Sequence, residues 1–243
     1  MKNYFDATGE VLVVTGGSNG IGAAVANAFT AAGGTSVVID VSPPGEEHRA
    51  VDFHSVDVSD RAAVYTAFDA IAARYGRIDG LVCAAAVQPR ADVLATDPDM
   101  WRRTLAVNVD GVVWCCQAAL PHMISGHKGA IVLFASGLAN IGRGQAAAYA
   151  ASKAALVAFA KSLAAEVAQF RVRVNTIFPG VIDTAQFRSA NPDGPERAHW
   201  AATTGIGQTA DVVGPLLFLL SDAATMTGSI LTRERSYPSE SRP

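Results

Sequence analysis

The sequence predicts an α/β fold, a doubly wound parallel sheet with helices on both faces. Three observations carry that prediction. Short apolar runs rich in β-branched residues alternate with helical stretches along the chain. A glycine-spaced turn joins the first run to the first helix. No repeat, low-complexity linker or second composition regime divides the 243 residues, a length that one α/β domain often has. A single domain over residues 1–243 is therefore expected.

The elements follow in order. "EVLVVTGG" reads as the first strand, and "IGAAVANAFTAAGG" as a helix stopped by Gly33 and Gly34. "TSVVID" is a second strand. "VSPPGEEHRA" holds Pro43, Pro44 and Gly45, so a loop or turn is expected there instead of a helix. "VDFHSVDV" is a third strand, followed by the helix "DRAAVYTAFDAIAARYG". "GLVCAAA" is a strand, a long helical stretch covers about Asp97 to Met123, and "GAIVLFAS" is the next strand. A helix spans about Ala147 to Gln169, and "VRVNTIFPG" is a strand. Asp183 to Gly207 is the longest irregular piece, because Asn-Pro and Gly-Pro steps break regular structure. A loop of that length in a compact domain suggests a substrate lid. "TADVVGPLLFLLSD" is a late helix and "GSILT" a last short strand, before a polar tail over residues 233–243.

Composition excludes some functions. Half the residues are apolar and the net charge is −3, which gives nucleic acid or an anionic membrane no electrostatic purchase. No apolar run reaches the roughly 18 to 20 residues of a membrane helix. The opening "MKNYFDATGE" lacks the apolar segment of a secretory signal, so a cytoplasmic location is expected. Cys83, Cys115 and Cys116 show no metal-type spacing, and no metal is expected. Cys115 and Cys116 are adjacent on a helix, so one packed face can bury at most one of them.

"TGGSNGIG", Thr15 to Gly22, lies between the first strand and the first helix. Glycine at Gly16, Gly20 and Gly22 permits a tight turn and close approach of a phosphate to the backbone. The helix N-terminus beyond it presents free N–H groups to a pyrophosphate. Ser18, Asn19 and Ile21 complete the candidate cofactor turn. Asp40 ends the second strand about 20 residues on, where a carboxylate accepts hydrogen bonds from the adenosine ribose and repels a 2′-phosphate. Neither "GGSNG" nor "DVSPP" contains a cation, so NAD is expected over NADP. Asp57 is a candidate partner for the adenine amine and Val58 for the ring, although "DVSD" equally suits a helix cap.

In "AYAASK", Tyr149 and Lys153 share a helix face. A free tyrosine, with a pKa near 10, is a poor base at neutrality. A neighbouring ammonium and a cationic nicotinamide would favour its phenolate. Tyr149 is then suited to take a proton from an alcohol as hydride leaves its carbon, or to give one in reduction.

With these motifs the chain resembles a classical short-chain dehydrogenase/reductase. Thr15-Gly16-x-x-x-Gly20-Ile21-Gly22 is similar to that family's cofactor motif, and Tyr149-x-x-x-Lys153 to its catalytic motif. Ser136 in "FASG", Asn108 in "LAVNVDG" and Pro179-Gly180 fall at the family's further positions, and the likeness spans about residues 8 to 232. The resemblance implies a Rossmann-like sheet of about seven strands in the order 3-2-1-4-5-6-7. It implies Tyr149 as acid/base, and Lys153 as the group that lowers its pKa and binds the nicotinamide ribose. Ser136 would hydrogen-bond the substrate oxygen. Asn108 would hold a helix kink and a water linking Lys153 to solvent. Ala84, Ala85, Pro179, Gly180, Ile182 and Thr184 would line the cofactor site. It also implies a homo-oligomer, a tetramer or else a dimer.

The chain departs from the family in three places. The usual Asn-x-Ala-Gly after the fourth strand is here "CAAA", so Cys83 replaces an amide and Ala86 a glycine. The segment between the second and third strands is short. The usual Val-Asp-Gly-Gly near the end is replaced by "RERSYPSESRP".

For substrate contacts, Ser136, Leu138, Gln145, Tyr149, Val181 and Phe187 are the candidates, with Val87, Ile182 and Trp200 as further apolar walls. They suit a small-to-medium secondary alcohol or ketone, including cyclic, aromatic and diol compounds. Arg188 and Arg197 lie near enough in sequence to meet an acidic group, but solvated lid charges are the more ordinary role. Two alternatives stand beside the dehydrogenase: an acyl-thioester ketoreductase of lipid or polyketide synthesis, and a non-catalytic NAD-binding sensor or scaffold.

Overall fold

A computed structural model describes residues 5–45 and 52–234 of the chain. Among them, seven strands form one sheet: β1 (Val11–Thr15), β2 (Thr35–Asp40), β3 (Asp52–Ser55), β4 (Gly80–Cys83), β5 (Gly129–Phe134), β6 (Val172–Phe178) and β7 (Ile230–Thr232). Their order is β3-β2-β1-β4-β5-β6-β7, and every pairing is parallel. This is the expected order. Parallel pairing needs a crossover between strands, and helices supply it.

Both faces of the sheet are covered, as β1 illustrates. Val11 and Val13 pack into a core with Phe68, Leu81 and Leu156, whereas Leu12 and Val14 join Phe29, Leu216 and Leu219. Successive side chains of a strand point to opposite faces, so a continuous apolar run suits a sheet buried on both. Helices α1 (Gly20–Ala31) and α9 (Ala210–Leu220) cover one face. Helices α2 (Arg61–Tyr75), α4 (Gly111–Gly126) and α6 (Ala147–Val167) cover the other. No helix among the described residues is long and apolar enough to cross a membrane.

The local sequence explains most boundaries. Asp60 caps α2, its carboxylate accepting from the Ala63 N–H at 3.1 Å. Gly76 closes that helix in the left-handed conformation, at φ 73°. Strand β1 lies between β2 and β4, so successive crossovers diverge beyond its C-terminal end, with Thr15 paired to Ile39 on one side and Cys83 on the other. Ligands of open α/β sheets bind at such a divergence.

Three expectations need correction. The stretch from Asp97 to Met123 is not one regular helix. Helix α3 (Pro98–Leu105) passes into a π-helical turn, Ala106–Asp110, before α4. Residues 183–207 are not mainly irregular either. They contain α7 (Ala185–Ala190) and α8 (Pro195–Thr203). Pro195 begins α8, because the first turn of a helix has no intrahelical use for the missing N–H. Cys115 and Cys116 are both buried, since α4 is packed against the sheet on one side and α2 on another. The turn expected over "VSPPGEEHRA" lies partly outside the described residues, as does the tail beyond Glu234.

Candidate active site

A cavity of about 690 Å³ opens at the C-terminal end of the sheet, where β1 and β4 diverge. That is within the usual range for small-molecule sites. It runs from the turn after β1 to the segment after β6, and its walls contain most of the candidate residues.

The first wall is backbone. Gly16 has φ 67°, and a Cβ there would fall 2.5 Å from the Ala85 N. A Cβ on Gly22 would collide with the Gly16 carbonyl. Only glycine fits either position, and the turn is held tightly against the Ala84–Ala85 backbone. Helix α1 starts at Gly20 with no side-chain cap from Asn19 and no acidic residue in its first turn. Its first N–H groups and its positive dipole end are thereby left for an anion. Gly20, Ile21, Asn19 and Thr184 all line this part of the cavity. These features fit the pyrophosphate of a dinucleotide.

Asp40 lies at the edge of the same wall. Its carboxylate accepts from the Ser18 N–H at 3.0 Å and the Ser42 N–H at 3.3 Å. Ser18 is buried outside the cavity lining, and its hydroxyl donates to the Ser42 carbonyl at 2.6 Å. Its placement therefore serves Asp40 and the loop more than direct ligand contact. Asp57 and Val58 line the cavity as well. The Asp57 carboxylate accepts from Ser59 N–H at 2.9 Å, Ser59 Oγ at 2.7 Å and Arg103 Nη2 at 2.8 Å. Burial alone would push its pKa up, but these donors outweigh burial and hold it below the usual value. Arg103 was not among the candidates, yet it also lines the cavity.

The second wall holds the proton-transfer set. The alanine-rich helix α6 contains neither Gly nor Pro, and it presents Tyr149 and Lys153 one turn apart. Lys153 is buried, and its Nζ donates to the Phe134 carbonyl at 2.8 Å and stands 5.7 Å from the centre of the Tyr149 ring. Ser136, just beyond β5, accepts at Oγ from the Leu138 N–H at 3.2 Å and is hydrogen-bonded to Tyr149. Burial pushes the Tyr149 phenol up to about 12, against a smaller downward pull from Ser136. Burial also lowers Lys153 to about 8. The neighbouring ammonium, expected to draw the phenol down, does not do so here. In the protein alone, desolvation governs both groups.

Asn108 sits within the π-helical turn and is fully buried. Its Oδ1 accepts from the Val87 N–H at 2.8 Å, and its Nδ2 donates to the Val87 carbonyl at 2.9 Å and to Ser152 Oγ at 3.0 Å. Asn108 does not line the cavity. It ties the segment after β4 to helix α6, next to Lys153. The extra residue in the turn aims it there, as such bulges often do at functional sites. Ser152 was missed by sequence reasoning, and it follows from nothing in the motif spacing. Cys83, in place of the family's amide, is buried beside Cys116. That contact, then burial, pushes the Cys116 thiol well up.

The third wall is the segment beyond β6. Pro179, Gly180, Val181, Ile182, Thr184, Phe187 and Trp200 line the cavity, with Leu138 and Val87 opposite. Residues 183–207 leave and return through one parallel bridge, Ile182 to Gly207. Arg233 braces that base. Its N–H donates to the Phe178 carbonyl at 2.9 Å, and its Nη2 reaches Asp211 Oδ2 at 3.3 Å. The tail thus begins as an ordered part of the cavity wall. Gln145 does not line the cavity: it is exposed, has φ 63°, and its carbonyl accepts from the Ala91 N–H. Arg188 and Arg197 do not line it either. They pair with the lid's own Asp183 and Asp193. Arg143, between α5 (Leu138–Ile141) and α6, does line the cavity, as do Arg103 and Arg233. The only sequence signal for Arg143 was a cation set between two glycines, shortly before Tyr149.

Comparison with known proteins bears on this geometry. Residues 10–194 match the family model described as short chain dehydrogenase. The chain is 37% identical to a D-threitol dehydrogenase of Mycolicibacterium smegmatis, over 96% of this chain and 94% of that one. It is 34% identical to a cis-4-hydroxycyclohexanecarboxylate dehydrogenase of Sinomonas cyclohexanicum, over 93% and 96%. Among solved structures it is similar to a gluconate 5-dehydrogenase from Burkholderia cenocepacia in complex with NADP and tartrate. The TM-score is 0.87 at 32% identity, covering 95% of each chain.

Proposed function

The chain belongs to the short-chain dehydrogenase family, and on that premise we propose that it is an NAD-dependent oxidoreductase of secondary alcohols and ketones, polyols and ring alcohols included. One observation carries the reading. Ser136, Tyr149 and Lys153 converge on a cavity whose other end is a glycine turn shaped for a dinucleotide. The threitol and hydroxycyclohexanecarboxylate relatives act on alcohols of the same class.

The residues divide the work. The glycine turn and the start of α1 hold the pyrophosphate, and Asp40 receives the ribose hydroxyls. When bound, the nicotinamide accepts or supplies the hydride. Ser136 donates to the substrate oxygen and fixes the carbinol carbon. In oxidation, the alcohol proton passes to Tyr149 Oη as hydride leaves the carbon. In reduction the same oxygen returns it. Lys153 holds positive charge beside the phenol and binds the nicotinamide ribose. Asn108 keeps α6 and the segment after β4 in register.

Asp40 supports NAD over NADP, because its carboxylate lines the cavity and would repel a 2′-phosphate. Arg103, a cation in the same wall, is already engaged by Asp57 and Ser59. A soluble cytoplasmic homo-oligomer suits the reading, with small residues on α6 allowing close helix approach between subunits.

The test is NADH formation from a panel of secondary alcohols and diols, run with NAD and with NADP, in the wild type and in Asp40→Ala. We expect turnover with NAD, and roughly a tenfold rise in the NAD KM of the variant with weaker discrimination against NADP, the loss of about one charge-assisted hydrogen bond. NADP preferred by the wild type would refute the ribose assignment.

A further inference from the structure

Arg143 lines the substrate end of the cavity, the Arg90 guanidinium stands outside that lining, and one carboxylate answers both. Arg143 and Arg90 keep only 14% and 18% of their side-chain surface exposed. Glu196, on helix α8, pairs with both: directly with Arg143, and with Arg90 Nη2 at 3.4 Å. The set therefore carries one net positive charge in a largely desolvated place. Desolvation and the neighbouring Arg90 charge both work against Arg143 keeping its proton.

The donors are also incompletely used. Arg90 Nε and Nη1 are buried without a hydrogen-bond partner among the described residues, and so is Trp200 Nε1. Trp200 lines the cavity, and its ring lies beneath the Arg143 guanidinium, 5.1 Å from Cζ to ring centre. Asn191 is buried, lines the cavity too and holds Arg143, accepting from its Nη1 at 2.9 Å while donating to the Phe187 carbonyl at 2.9 Å. A buried guanidinium and an indole N–H lacking acceptors are costly to leave so. Arg143 and Trp200 are the two of this group that line the cavity, so an anion entering it would meet the Arg143 charge and the Trp200 Nε1 donor.

We infer that the substrate is itself an anion, a secondary hydroxy acid or the corresponding oxo acid. Its carboxylate lies on Arg143 beside Trp200 while its carbinol carbon meets Ser136 and Tyr149. Arg143 is a specificity residue and takes no part in the proton transfer. Glu196 occupies Arg143 until the substrate carboxylate replaces it, so the lid helix exchanges one carboxylate for another. The inference rests on the dehydrogenase reading for the alcohol end, and on the arginine cluster alone for the acid end.

Two readouts separate these. The first is turnover of short hydroxy acids against their primary amides. The second needs no chemistry: calorimetric binding of butanoate, pentanoate and hexanoate, and of their amides, to the NADH-loaded protein. Acids are expected to outperform amides by about tenfold to a hundredfold, the worth of a charge-assisted hydrogen bond. Arg143→Gln should bring that ratio close to one. Glu196→Gln should raise acid affinity several-fold, a gain that damaged folding cannot imitate. Equal treatment of acid and amide by the wild type would overturn the inference, as would an Arg143→Gln protein that keeps the preference. Acid-selective binding with no turnover of any alcohol would leave the anion site standing and defeat the dehydrogenase reading instead.

Discussion

The two ends of the cavity are built differently. At the cofactor end the walls are backbone: Gly16 pressed on Ala85, the uncapped start of α1, and a carboxylate pinned by two N–H groups. At the substrate end the walls are side chains on short helices whose two ends are pinned together by one bridge outside the sheet, and several buried polar atoms there lack partners among the described residues. A ligand with fixed chemistry, such as a dinucleotide, can be met by backbone. A ligand that varies between relatives is met by residues that can change without disturbing the sheet. Tyr149 stands at the boundary between the two.

Substitutions should respect that division. The largest effect is expected at the boundary. Tyr149→Phe removes only the hydroxyl and should lower turnover by about 10²- to 10⁴-fold, the usual contribution of a positioned acid/base. Steady-state kinetics would show it, with cofactor affinity little changed. Next comes the backbone wall. Gly16→Ala forces a Cβ into the Ala85 backbone at a positive φ. At about 1 to 3 kcal/mol of strain, NADH affinity should fall roughly tenfold to a hundredfold, measured by fluorescence titration.

The pH profile sharpens the comparison further. Oxidation requires Tyr149 to accept a proton, and burial holds that phenol up, to about 12. Oxidation, which needs the scarce phenolate, should therefore accelerate with rising pH, by at most about tenfold per unit, while reduction, which needs the phenol, stays level from about pH 6 to 9. Lys153, lowered to about 8 by burial, is charged below that pH and neutral above it. The rise in oxidation should flatten near pH 8, where the charge favouring the phenolate is lost. A flat oxidation profile from pH 6 to 9 would contradict the assignment. The smallest effect is expected on the lid surface. Arg188→Ala breaks only a half-exposed pair with Asp183, so kcat/KM should stay within about twofold.

What was legible in the sequence follows the same division. The sheet could be read because each strand is a continuous β-branched run, and only a sheet buried on both faces needs one. The glycine turn and Asp40 could be read because backbone geometry restricts residue type at those positions. The lid helices could not. Gly194 and Pro195 look like breakers in isolation, but in place they are the entry to α8. Arg143 was passed over for Arg188 and Arg197 because its role depends on Glu196 and Asn191, which are remote in sequence and meet it only after folding. The joint burial of Cys115 and Cys116 likewise depends on packing that helical periodicity does not contain.

The most direct test of the central claim is a side-by-side NADH titration of wild type and Tyr149→Phe, with turnover of a secondary alcohol measured on the same preparations. A backbone-built cofactor wall that is independent of the proton-transfer set predicts equal affinity, within about twofold, and loss of turnover in the variant alone. Failure of the wild type to bind NADH, or a variant that still turns over, would contradict it.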